Sequence, residues 1–193
     1  MSAISKAFDD PNFQAKVRDE LPKLFQEARK EALEFNQIFI VGNFRKQKLK
    51  ELLIDYFGED VIDFSLTRDL PGIDAKVDSS FITIRTIRGN NQVKMIWGSD
   101  RIKMIERIEN YVPNSNLILV KINWEMKEKY QPSGLFWIPI ETQLKVFQRV
   151  GKNGYFKPPR EGTNSRGVPL INQVLKILIN DPSTKNIDIK WGK

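Results

Sequence analysis

The segment "NLILVKINW", residues 116 to 124, barely alternates between apolar and polar side chains. A strand with one wet face alternates with period two, so a near-continuous apolar strand is one buried on both faces. Both faces then need cover. The arrangement this predicts is an α/β fold, with helices covering both faces of a central sheet.

The order of the other elements is consistent with such a sheet. "DDPNFQAKVRDELPKLFQEARKEALEFN" carries apolar residues at helical spacing, and Pro22 divides it into expected helices over 12–20 and 22–35. After the short apolar run "QIFIVG", the stretch "NFRKQKLKELLIDYFGED" puts Leu49, Leu52, Leu53 and Tyr56 on one helical face, with Asn43 as cap and Gly58 as stop. "VIDFSL", "IDAKV", "FITIRTIR" and "QVKMIW" then read as a meander of three or four strands broken by turn-rich links. A helix runs from Ser99 to the block at Pro113, and the buried strand follows. "GLFWIPIET" gives another strand, "ETQLKVFQRV" a helix, "GKNGYFKPPREGTNSRG" a long polar segment, and "VPLINQVLKILIN" a last helix before a polar tail. With no repeat and no linker, the expectation is one domain over 1–193: N-terminal helices in 1–36, a core in 37–124, and a C-terminal strand, helices and basic loop in 125–193.

Composition narrows the chemistry. Lys and Arg number 31 against 24 Asp and Glu, a net charge of +7 with pI near 9.5, which favours an anionic partner such as nucleic acid or an acidic membrane surface. There is no cysteine and no histidine. Disulfides, thiolate nucleophiles, Ser/His/Asp triads and the usual zinc hydrolase ligand sets are therefore excluded. Hydrolysis by this chain would need carboxylates with a hard cation such as Mg²⁺, or lysine. The N-terminus has neither a signal peptide's apolar run nor a transit peptide's arginine bias, and no stretch reaches the roughly 18 apolar residues of a membrane span, so a cytoplasmic protein is expected.

Within "PGIDAKVDSSFITIRT", Asp74 stands where a hairpin strand begins, and Thr83 and Arg85 share one face of the next strand. An acid and a cation converging there suit phosphodiester chemistry; a turn aspartate and a solvated strand arginine are the plain alternative. Three basic stretches suit phosphate contacts. "NFRKQKLK" offers Arg45, Lys46, Gln47 and Lys48 at a helix front, where an anion could dock. "IRGNNQVK" offers Arg88, Asn90, Asn91 and Lys94 on a hairpin tip. The segment from Lys145 to Arg166 holds Lys152, Lys157, Arg160, Asn164 and Arg166 among flexible glycines. A solvated helix face, a good turn and a solubilising loop are the respective alternatives. Trp97, Trp124 and Trp137 read as core aromatics. The helix containing Ile102, Met104, Ile105 and Ile108 would pack either a dimer or the sheet.

From Asn43 to Trp124 the order helix, three strands, helix, strand resembles the α-β-β-β-α-β core of the PD-(D/E)xK nuclease superfamily. The wider run "VGNFRKQKLKELLIDYFGED", "GIDAKV", "ITIRT", "KMIWGSD", "ILVKINW", "LFWIPIET" and "PREGTNSRGV" resembles the ThaI-type group of type II restriction endonucleases. That resemblance implies an α/β fold with a restriction-endonuclease-like core, a mixed central sheet flanked by helices, with N-terminal helices and a C-terminal helical extension. It also implies a homodimer cutting double-stranded DNA at a short palindrome, with Mg²⁺. Asp74 matches the superfamily's metal-binding aspartate and Thr83-Ile84-Arg85 its (D/E)-x-K tripeptide, so Asp74, Thr83 and Arg85 are the implied catalytic residues. The tripeptide departs from the pattern twice. Threonine offers a neutral oxygen where a carboxylate is usual, and arginine stays protonated where lysine is usual. Glu51, Asp55, Asp63 and Asp69 are candidate replacement acids, with Asp69 the first choice as second metal ligand. A DNA-binding protein that does not cut, on the same fold, is the alternative, and an RNA- or membrane-surface-binding basic domain a third.

Overall fold

All seven residues of the strand Asn116–Ile122 are buried, its apolar side chains alternate between two separate cores, and the rest of the chain is arranged around that division. Ile118, Val120 and Ile122 face one core; Leu117 and Leu119 face the other. The computed structural model describes residues 2–37, 40–65, 72–98, 100–162 and 167–192.

The elements in chain order are α1 (Ala3–Ala7), α2 (Pro11–Glu34), α3 (Val41–Phe57), β1 (Ile62–Asp63), β2 (Ala75–Val77), β3 (Ser80–Arg88), β4 (Lys94–Trp97), α4 (Arg101–Glu109), β5 (Asn116–Ile122), β6 (Gly134–Ile138), α5 (Ile140–Tyr155), β7 (Gly167–Pro169), α6 (Asn172–Ile179) and β8 (Lys185–Asp188). Six strands form one mixed sheet in the order β1-β2-β3-β5-β6-β8. β1, β2 and β3 are antiparallel neighbours, β5 runs parallel to β3 after the α4 crossover, and β6 and β8 close the far side antiparallel. The expected mixed sheet flanked by helices is thus observed. Among the described residues no helix is long and apolar enough to cross a membrane.

Several boundaries differ from expectation. Pro22 does not divide α2: a single stripe of Phe13, Val17, Leu21, Phe25, Ala28 and Ala32 is buried along the whole helix. Its packing outweighs the roughly 3 kcal/mol that an interior proline costs. α3 begins at Val41 behind Ile40, so Asn43 is inside the helix rather than its cap, whereas Gly58 does end it, at φ 84°. The segment "QVKMIW" leaves the main sheet: β4 pairs with β7 in a two-stranded sheet, and β7 takes residues expected to open the last helix. α5 continues past Val150 through a kink at Gly151. The polar tail supplies β8, an edge strand with only Ile187 turned into the core. Gly134 makes that pairing feasible. A side chain there would put its Cβ 2.1 Å from the Ile187 carbonyl oxygen.

The tail also returns to the N-terminal helices. Trp191, 1% exposed, lies 5.8 Å from the Phe25 ring and 5.2 Å from Trp124. Across the same core, the Tyr56 hydroxyl of α3 donates to Asp10, the cap of α2, at 2.5 Å. Removing the indole with Trp191→Ala is expected to destabilise the protein by about 3–5 kcal/mol, as large-to-small changes at buried aromatics do. Urea unfolding should show this as a lower midpoint.

Candidate active site

At the end of the sheet where β2 begins, the backbone of Asp74 prolongs the ladder, its N–H donating to the Ile82 carbonyl at 2.7 Å. That fixes its side chain against β3. Asp74 Oδ2 accepts the Ile84 backbone N–H at 2.7 Å and the Arg85 guanidinium at 2.9 Å. Asp74 Oδ1 forms an ion pair with Lys46 of α3. The carboxylate and the guanidinium are both buried, at 7% and 9% exposure.

Arg85 is held from several sides. Its Nε donates to the Lys94 carbonyl at 3.0 Å, its Nη1 also donates to the Ile84 carbonyl at 2.7 Å, and it lies 4.5 Å from the centre of the Trp97 ring. Burial pushes the guanidinium below its ordinary pKa, with Asp74 opposing. Thr83 sits on the same face of β3 as Arg85. Its hydroxyl donates to the Gly72 carbonyl at 2.7 Å, so Ser115 Oγ, 2.8 Å away, donates to it in turn. Thr83, Arg85, Trp97, Tyr111 and Ser115 line a cavity of about 390 Å³. Burial pushes Tyr111 up to about 12.

Asp74, Thr83 and Arg85, named from sequence, therefore meet at one sheet end, and Lys46 joins them from a helix. Trp97 departs from its expected place in a core. It is 42% exposed and stacks on Arg85, which the outward position at the end of β4 permits. Trp137 is buried and Trp124 packs against the core, as expected. The candidate helper acids are engaged elsewhere. Glu51 lies 3.8 Å from Lys48, Asp55 pairs with Lys16 at 2.6 Å, and Asp63 accepts from Ser65. Asp69 lies outside the described residues, as do Asn164 and Arg166.

The other basic residues differ in how far they are already compensated. Lys48 pairs with Glu31 at 2.8 Å, Arg88 with Glu125 at 2.8 Å and Lys152 with Glu109 at 3.5 Å. Gln47 donates to Glu51 at 3.3 Å. Lys94, Lys157 and Arg160 are exposed. Asn90 and Asn91, expected on a hairpin tip, border a basic pocket of about 220 Å³ together with Lys121, Lys129 and Lys176. Arg45 is the exception. It is buried rather than solvated, its Nε has no hydrogen-bond partner, and burial beside Arg88 and Arg29 pushes it down to about 10.

The model of the family described as "Restriction endonuclease ThaI" matches residues 7–193. The chain belongs to the ThaI restriction endonuclease family. It is by that membership a type II restriction endonuclease, a hydrolase that breaks phosphodiester bonds within DNA. A solved structure, "Restriction endonuclease in complex with substrate DNA", is 36% identical, with a TM-score of 0.88, covering 98% of this chain and 90% of that one. Comparison with curated proteins gives no match.

ThaI-family and related restriction endonucleases generally use divalent metal ions. The groups gathered at Asp74 do not fit such an ion as they stand. A hard cation takes six or more oxygens, with carboxylates prominent among them. Here one carboxylate has both oxygens engaged by N–H donors, and among the described residues no group of three acids could hold a metal.

The unpaired charge of Arg45 sets a measurable expectation. Arg45→Met keeps an unbranched stem while removing a buried donor, and should stabilise the protein by about 1–3 kcal/mol. A higher urea midpoint in low salt would report it.

Proposed function

We propose that this protein makes double-strand cuts in DNA at a short palindromic site, acting as a homodimer with Mg²⁺ as its divalent ion. The observation that carries this reading is the contact of Asp74 with Arg85 on β3, in a chain that matches a restriction endonuclease family along nearly its whole length. A palindrome presents the same half-site twice, so a two-fold protein dimer can place one reactive centre on each strand. Ile102 on α4, 79% exposed while Met104 and Ile108 of the same helix cover the sheet, supports an apolar contact for a second copy.

The chain's own groups have definable roles in this proposal. Arg85 stays protonated at working pH and is locked by the Lys94 and Ile84 carbonyls and the Trp97 ring, so it presents fixed positive charge where a phosphorane would gather negative charge. It cannot take a proton from water. Asp74 orients the guanidinium. Thr83 holds the Gly72 and Ser115 side of the cavity in place. Arg45, with Arg29 and Arg88 beside it and Glu125 paired to Arg88, is suited to a backbone phosphate, because an anion would relieve its unmatched charge. Lys94, Lys157 and Arg160, together with Asn164 and Arg166 of the basic loop, complete the proposed DNA contacts.

Plasmid DNA incubated with the protein in Mg²⁺ should give discrete fragments. Chelation by EDTA should abolish them, and Asp74→Ala should slow cutting by about 100-fold or more, the scale seen when one charge-stabilising group is lost from an active site. Salt-sensitive DNA binding without cleavage across several divalent metals would sink this reading.

A further inference from the structure

The carboxylate of Asp74 is fully subscribed, and its partners differ in how firmly they are held. Oδ2 is shared by the Ile84 N–H and Arg85, and Arg85 is anchored by two carbonyls and an aromatic ring besides. Oδ1 meets the ammonium of Lys46, for which Asp74 is the one partner among the described residues. Lys50, one turn further along α3, is pushed below its ordinary pKa by burial and feels Asp74 as a charge, but forms no ion pair with it. A divalent ion approaching Asp74 would thus meet two cations already in contact with the carboxylate, where among the described residues no group of three acids stands to hold it. The site is buried, so salt and solvent screen that repulsion little.

Resting on the endonuclease reading, we infer that Lys46 is a resident counter-ion that occupies the Asp74 oxygen a divalent ion would need, closing Asp74 to such ions in the DNA-free protein. The side chain at 46, rather than the changed tripeptide on β3 alone, then sets the metal affinity of this sheet end. Arg85 cannot be the removable element, because its other contacts keep it in place whichever ion is present. Lys46 reaches Asp74 from a separate helix and remains 29% exposed along its side chain. Replacing it therefore removes the block without disturbing the strand. An acid at 46 would go further and turn one carboxylate into two facing ones.

Mn²⁺ serves as the probe, with free ion counted by electron paramagnetic resonance in DNA-free protein. Lys46→Gln should bind Mn²⁺ at least about tenfold more tightly than the unaltered protein, equivalent to about 1.4 kcal/mol. Lys46→Glu should bind more tightly still, and adding Asp74→Asn to it should abolish the gain. The inference is overturned if the unaltered protein binds Mn²⁺ as tightly as Lys46→Glu, or if the gain survives loss of Asp74. Circular dichroism and thermal unfolding establish that each variant is folded, and the neutral Lys46→Gln keeps the test decisive should the glutamate variant not fold. Binding is read without cleavage. Failure to cut plasmid DNA would sink the endonuclease reading while leaving this inference standing, and an open Asp74 in a cutting enzyme would do the reverse.

Discussion

One buried negative charge organises this end of the sheet. The Asp74 carboxylate takes the Ile84 backbone N–H that the short β2 leaves without a strand partner, pairs with Arg85 two positions along from Thr83, and draws Lys46 in from α3. A strand ladder, a strand side chain and a helix are thereby fixed to one another through two oxygens. Buried charges persist only when paired and hydrogen-bonded. Here both the acid and the guanidinium meet that condition: without Asp74 the guanidinium would keep only neutral partners, whereas Asp74 would keep Lys46 and the Ile84 N–H without Arg85.

The two cores explain why this charge lies where it does. β3 sends Ile82 and Ile84 toward α2 and α3, and Thr83, Arg85 and Ile87 toward the layer of α4, α5 and α6. On the second side a cavity opens beside β3, lined by Thr83, Arg85, Trp97 and Tyr111. The first layer contributes Lys46 because α3 lies over the same strands, with Gly42 of its first turn beside Thr86. The candidate site is the place where an apolar sandwich opens enough to admit polar groups from both sides.

Much of the fold was legible because its signals are local. The apolar run of β5 follows from burial on two faces and the leucine stripe of α3 from burial along one, while the alternation of β3 separates an apolar face of Ile82 and Ile84 from a face that carries Thr83 and Arg85. The same locality explains the departures. A proline inside α2 reads as a break until its packing partners are known, and β8 is hidden in a polar tail because an edge strand needs only one inward residue, Ile187. At the site, strand register was enough to bring Thr83 and Arg85 together. The contact of Lys46 with Asp74, and of Trp97 with Arg85, joins residues 28 and 12 positions apart, from 74 less 46 and 97 less 85, through elements whose relative placement no periodicity records. The burial of Arg45 was hidden for the same reason, since a cation at a helix front reads as solvated.

The path of the tail bears on how the molecule comes together during synthesis. α2 is made well before the tail, yet its stripe is covered at Phe25 by Trp191, and β6 gains its outer neighbour only from residues 185–188. Until that indole arrives, the first core is open on one side. Closure of the first core therefore waits for residue 191, which brings the tail back onto a helix made long before it.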